Sequence, residues 1–216
     1  MTYNILVMGA AGGIGRQVVE QALASGHHVT AVLRHPAKLP LSHAHLELIQ
    51  GDILHPETYE GHLGSQDVVI SAIGVSGGMF GDKPTRLYSE GNATLLGAMR
   101  RRGVRRLYVI SATAIEVSPV LPLFVRLVEK YVIQKLLRHM YADLRRLEAL
   151  VRESDADWTI VRPPQLSDKA LTGKYRVCVN GFLRNCLNIS RADVAHFMLQ
   201  HVRDTGMYRG TVEIGY

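Results

Sequence analysis

Residues 3–26 read YNILVMGAAGGIGRQVVEQALASG, and this stretch decides the fold. The apolar run Ile5, Leu6, Val7 and Met8 enters three glycines, Gly9, Gly12 and Gly15, spaced G-x-x-G-x-x-G. An amphipathic segment follows (Ile14, Val18, Val19, Ala22, Leu23) and stops at Ser25-Gly26. Strand, tight turn and helix in that order present backbone N–H groups and a positive helix end to a diphosphate. Gly9 permits the sharp turn, Gly12 the close approach of phosphate to backbone, and Gly15 the close packing of helix on strand. The reading is a dinucleotide site at the first strand, with Gly9, Ala11, Gly12, Gly13, Ile14, Gly15 and Arg16 around the phosphates.

Outward from that turn, apolar runs and helical periods alternate through the chain. Strands are predicted over 4–8, 28–33, 45–50, 67–72, 105–111 and 157–162. Helices are predicted over 14–25, 57–63, 85–102, 121–153 and 191–202, with a break in 121–153 near His139, Met140 and Tyr141, where the pattern changes phase. Alternation of this kind predicts an α/β fold, a doubly wound parallel sheet of Rossmann type with ligands at the strand C-terminal ends. Nothing divides the chain, so 1–216 reads as a single domain, with 163–216 shaping the substrate side. Within that part, "LTGKYRVCVN" reads as a short strand between Gly173 and the Asn180-Gly181 turn, and Ser190 with Asp193 as a helix cap.

Composition bounds the function. The chain has 216 residues, 47% of them hydrophobic and 20% charged, as expected of a globular protein with a sizeable core. Two cysteines, Cys178 and Cys186, exclude a disulfide framework and fit a reducing compartment. Without a signal segment or an apolar run long enough to span a membrane, a cytoplasmic protein with no membrane partner is expected. The net charge of +6 draws on Arg100, Arg101, Arg102, Arg105 and Arg106. These straddle a helix end and the next strand without interleaved aromatics, which reads as a solvated face rather than a nucleic-acid site. The histidines of "SHAH" (His43, His45) lack companions at ligand spacing, so no metal is expected. The apolar first part of 121–153, "LPLFVRLVEKYVIQKLL", reads as a pocket wall or, through 121–138, a homodimer contact.

A second signal refines the cofactor. The predicted second strand ends in Arg34, followed by His35 and Lys38, where an NAD-selective site would place a carboxylate for the ribose hydroxyls. A guanidinium there forms bidentate, charge-assisted bonds to a 2′-phosphate, so NADP(H) is expected, with Arg16 in reach of the same phosphate. "GDIL" after the third strand places Asp52 and Ile53 by the adenine. "SAIG" after the fourth places Ala72, Ile73 and Gly74 by the ribose and phosphates.

With "AVLRHPAKL", "DVVISAIG", "GVRRLYVIS" and "ESDADWTIVRPPQLSDKALTGKYRV", nearly the whole chain resembles the atypical short-chain dehydrogenase/reductases of the NAD(P)H-binding, NmrA-like group. It is most similar in flavour to the flavin reductase/biliverdin-IXβ reductase type, whose "PP…D…LTG.Y.V" pattern is matched by Pro163, Pro164, Asp168, Leu171 to Gly173, Tyr175 and Val177. The resemblance implies a Rossmann domain using NADPH, with a small-molecule substrate over the nicotinamide near the end of strand five and the Pro-Pro loop. Ser111, Ala112 and Pro163 would then border the nicotinamide. Gln165 stands where the reductase type carries a His after its prolines, and the region between Val117 and Met140 is longer than in that type. Some relatives bind the dinucleotide without turning it over, so a redox-sensing regulator stands as the alternative to a reductase of flavins, quinones or small carbonyls.

Short-chain dehydrogenases pair a Tyr with a Lys one helical turn later, assisted by a Ser, so that both side chains share a face. Tyr131 and Lys135, with Ser111 upstream, have that spacing and are the catalytic candidates. A competing register makes Tyr141 and Arg145 the equivalents. An Arg stays protonated and cannot tune a proton transfer.

Overall fold

A computed structural model of the chain describes residues 1–74, 84–120 and 123–216. The first half alternates β1 (Asn4–Met8), α1 (Gly13–Ala24), β2 (His28–Leu33), β3 (Leu46–Gln50), β4 (Val68–Ser71), α2 (Leu87–Arg102) and β5 (Arg106–Ile110). A broken helical region follows, with α3 (Leu123–Val128), a π-helical turn (Glu129–Ile133), α4 (Gln134–Leu136) and α5 (Arg138–Glu153). The chain then forms β6 (Asp157–Arg162), β7 (Gln165–Ser167), β8 (Arg176–Val179), β9 (Asn188–Ser190), α6 (Arg191–Gln200) and β10 (Gly210–Gly215).

Eight strands form one sheet in the order β3-β2-β1-β4-β5-β6-β10-β8. All pairs are parallel except β10 with β8, which is antiparallel. The order reverses between β1 and β4, and a crevice opens at that switch point beyond the strand C-termini. Because side chains alternate across a strand, β1 feeds two cores. Ile5 and Val7 pack with Val18 and Val19 of α1 and Val194 and Phe197 of α6. Leu6 and Met8 pack with Leu95 and Met99 of α2 and Leu144 and Leu147 of α5. Covering both faces lets every interior strand be a nearly continuous apolar run.

Two polar devices fix the helices beside the crevice. The residue preceding α2, Arg86, supplies no side-chain cap. The fully buried carboxylate of Asp143, on α5, accepts instead from the Tyr88 and Ser89 N–H groups at 3.0 and 3.3 Å. At α6 the Ser190 hydroxyl accepts from the Asp193 N–H at 2.9 Å, the cap that the spacing predicts.

The Asp193 carboxylate goes further: it accepts from the N–H groups of Thr172 (3.0 Å) and Gly173 (2.8 Å), the Ser190 hydroxyl (2.8 Å) and the Tyr216 hydroxyl. The "LTG" stretch is thereby tied to the start of α6. Burial pushes the Asp193 carboxyl up, but the bonds from Tyr216, Ser190, Gly173 and Thr172 outweigh it and hold the group below the usual carboxylate range. A lowered folded-state pKa gives stabilisation that is complete above the unfolded value and is lost as pH falls through the folded one. In thermal melts, Asp193→Asn should therefore lie below the wild type at neutral pH, and the gap should close below about pH 4. A gap independent of pH would contradict this.

Several expectations are corrected. The stretch 57–63 is not an α-helix but two 3₁₀ turns, Pro56–Thr58 and Glu60–His62, because Pro56 and the glycines at 61 and 64 disfavour a longer helix. The long helical region breaks at Leu137 (φ −102°, ψ 20°), just before the expected change of phase, and again at the π-helical turn. Residues 121–122 of that predicted span lie outside the described residues. Strand β10 is an addition, inserted between β6 and β8. The arginine cluster keeps Arg100, Arg101, Arg102 and Arg105 exposed, as expected of a solvated face, and Arg106 is the member that departs from it. Arg101 pairs with Glu60 at 2.6 Å and Arg105 with Asp157 at 3.2 Å. Arg106 is buried against the Tyr108 ring.

Candidate active site

The crevice is a cavity of about 580 Å³ running from the glycine turn to the ends of β5 and β6, within the range of ligand clefts. Its construction starts with the turn. Gly9 adopts φ +77°, and a Cβ there would stand 2.7 Å from the Ala72 carbonyl oxygen. A Cβ on Gly15 would stand 2.3 Å from the Gly9 carbonyl oxygen. β4, the turn and α1 thus approach more closely than any side chain allows. The N-cap of α1 is Gly12, which brings no side-chain cap, and the first turn contains no acid. Its leading N–H groups therefore have no protein acceptor among the described residues, and Gly13 and Ile14 line the cavity, as an anion site requires.

Of the residues singled out by sequence, Gly9, Ala11, Gly12, Gly13, Ile14, Arg34, Asp52, Ile53, Ala72, Ile73, Gly74, Ser111, Ala112 and Pro163 all line this cavity. Arg34 is exposed at its rim, with His35 and Lys38 beside it and no ion-pair partner among the described residues. Asp52 Oδ1 accepts from the Leu54 N–H at 3.0 Å and shapes the turn after β3. Ser111, at the end of β5, is buried, and its hydroxyl has no hydrogen-bond partner among the described residues.

Others stand elsewhere. Gly15 lies behind the wall, in the contact between helix and turn. Arg16 is turned along α1, where its Nε donates to Glu20 Oε1 at 2.7 Å, and it does not line the cavity. Tyr131 sits on the π-helical turn, 62% exposed, and neither it nor Lys135 is part of the wall. Tyr141 is buried in the α2–α5 core, while Arg145 Nε donates to the Ile115 carbonyl at 3.0 Å and braces the turn after β5. Gln165 is exposed and off the wall.

The far end of the cavity is formed by side chains that the sequence reading left unassigned. Leu87 and Tyr88 of α2 and Met140 and Leu144 of α5 join Pro164 and Leu166 there. Arg191 closes the other side, its side chain lying across Gly13. Behind β6, Arg162 joins Glu148 at 2.6 Å and Glu116 at 3.0 Å, a buried brace under the Pro-Pro loop. Burial works against the guanidinium charge, but the hydrogen bonds it donates to the two carboxylates outweigh it and raise its pKa.

A family model described as NAD(P)H-binding matches residues 9–205. The chain belongs to this NAD(P)H-binding family. The leading N–H groups of α1, the Cβ-free cradle and the cations at the rim, none of them paired among the described residues, fit the group that the family binds. Among solved structures, a short-chain dehydrogenase/reductase from Veillonella parvula in complex with NADP superposes with a TM-score of 0.81 at 23% identity, covering 100% of this chain and 95% of that one. The oxidoreductase ylbE from Lactococcus lactis superposes with a TM-score of 0.78 at 17% identity, covering 98% and 90%. These likenesses establish the Rossmann fold. In sequence, the chain is 34% identical over 145 residues to a UPF0659 protein of Schizosaccharomyces pombe, covering 64% of this chain and 57% of that protein. It is 31% identical over 123 residues to the photosystem II assembly factor Ycf39 of Synechocystis, covering 56% and 37%. The matched stretches thus span between roughly a third and three-fifths of these curated relatives, and no helix among the described residues is long and apolar enough to cross a membrane.

Proposed function

We propose that the protein is an NADPH-dependent reductase delivering hydride to a flavin, quinone or small carbonyl compound. One observation carries this reading: the cavity continues from the glycine turn and Arg34 to an apolar end with the buried Ser111 hydroxyl, and neither Arg34 nor that hydroxyl has a partner among the described residues. In it, α1 and the glycine turn hold the diphosphate and Arg34 takes the 2′-phosphate. A bound NADPH supplies the hydride. Met140, Leu144 and the Pro163-Pro164 loop keep water from the transfer and hold a flat acceptor against it. Ser111 donates a hydrogen bond to the acceptor's oxygen or nitrogen, and the accompanying proton comes from solvent. With Tyr131 and Lys135 off the wall, positioning rather than a Tyr–Lys pair has to supply the catalysis.

A second reading, a redox-sensing regulator that binds NADP(H) without turnover, is favoured by those same placements, since Arg145 is taken up by a backbone carbonyl. NADPH consumption with a panel of flavins, quinones and aldehydes separates the two. The reductase reading expects turnover with at least one class, weakened in Ser111→Ala. Tight NADPH binding with silence across the panel supports the regulator.

A further inference from the structure

We infer that Arg191 is a diphosphate-gripping residue of the dinucleotide site, held in readiness by Asp168. The inference rests on the proposed NADP(H) reading and adds to it a residue distant in sequence from the glycine turn. Arg191 opens α6, where a cation opposes the helix dipole. Its side chain reaches across to α1: a Cβ on Gly13 would meet Arg191 Cδ at 2.4 Å and Nε at 2.6 Å. The guanidinium stem therefore occupies the space that the missing Gly13 side chain leaves open. The uncapped N-terminal end of α1 and the Arg191 cation thus converge on one wall of the cavity. That arrangement is unfavourable for the free protein and is relieved by a dianion.

Among the described residues Asp168 is the ion-pair partner of Arg191, accepting from its Nη1 at 2.7 Å. The Asp168 side chain is 89% exposed and that of Arg191 29%, so the pair is solvated and easily exchanged. A diphosphate oxygen in the cradle offers Arg191 a drier, doubly charged acceptor. Asp168 is then the resting partner, which keeps the guanidinium ordered over the turn and competes with the ligand for it. Because Asp168 lies just after β7, loading the cofactor releases the loop that leads to the pinned Thr172 and Gly173.

Calorimetric titration of NADPH, NADH and adenosine 2′,5′-bisphosphate into the full chain tests this. The last probe carries the 2′-phosphate but no diphosphate. Arg191→Gln should weaken NADPH and NADH alike by at least about tenfold while affecting the bisphosphate much less. Arg191→Lys should recover part of the loss, which guards against a folding defect. Asp168→Asn should tighten both dinucleotides by about twofold to fivefold. Unchanged dinucleotide affinity in Arg191→Gln would overturn the inference while leaving the cofactor reading intact. So would an Asp168→Asn loss as large as that of Arg191→Gln, which would make the pair a structural brace. A wild-type protein binding neither dinucleotide would overturn both.

Discussion

Gly15→Ala is expected to abolish measurable dinucleotide binding and to destabilise the protein by roughly 3 kcal/mol. The added Cβ would stand 2.3 Å from the Gly9 carbonyl oxygen and 3.1 Å from the Ala10 Cα, both backbone atoms that cannot rotate away. The conflict is resolved only if the start of α1 moves off the turn. That movement spreads the N–H groups aimed at the diphosphate and opens the contact between α1 and β1. Gly64 is a fitting control, because nothing lies within 4 Å of a Cβ added there. Gly64→Ala should stay within about 0.5 kcal/mol of the wild type in urea denaturation. If Gly15→Ala bound NADPH normally, the close approach of turn and helix would be dispensable to the site.

Arg34→Asp should raise the dissociation constant for NADPH by about a hundredfold or more while leaving NADH unchanged or slightly tighter. The substitution removes a guanidinium that stands at the cavity rim with no carboxylate partner among the described residues. It also places a carboxylate where it accepts hydrogen bonds from the ribose hydroxyls of NADH and repels a 2′-phosphate. Affinity for NADPH therefore falls while that for NADH does not, and no general loosening of the fold can mimic that. Equal losses for both would take Arg34 out of cofactor selection.

The glycine turn was legible in the sequence because its constraint is local. Where backbone must pass within 3 Å of backbone, only glycine fits, and the flanking apolar strand and amphipathic helix fix the context. Arg34 was legible for a similar reason, lying a fixed distance past β2 at the strand C-terminal edge. Arg191 was not: its approach to Gly13 depends on α6 packing against α1, a contact that no spacing in the sequence encodes. The only local sign was a cation at a capped helix start, where the dipole disfavours it. β10 was hard to read because a short segment between two glycines becomes a strand only once β6 and β8 flank it. Tyr131 and Lys135 show the opposite failure. Their spacing satisfies a pattern, but a π-helical turn and a break at Leu137 decide which way that helix faces.

The cap that Asp143 provides for α2 has a consequence for how the molecule opens. A helix normally closes its first turn with a residue beside it, so that it can fray and reform alone. Here the Tyr88 and Ser89 amides are satisfied from α5, more than fifty positions along the chain. They can exchange with solvent only when α5 lifts away, and that uncovers the core shared by Leu95, Met99, Leu144 and Leu147. The cavity wall formed by Leu87, Tyr88, Met140 and Leu144 is thus part of one cooperative unit, opening and closing as a block rather than breathing residue by residue.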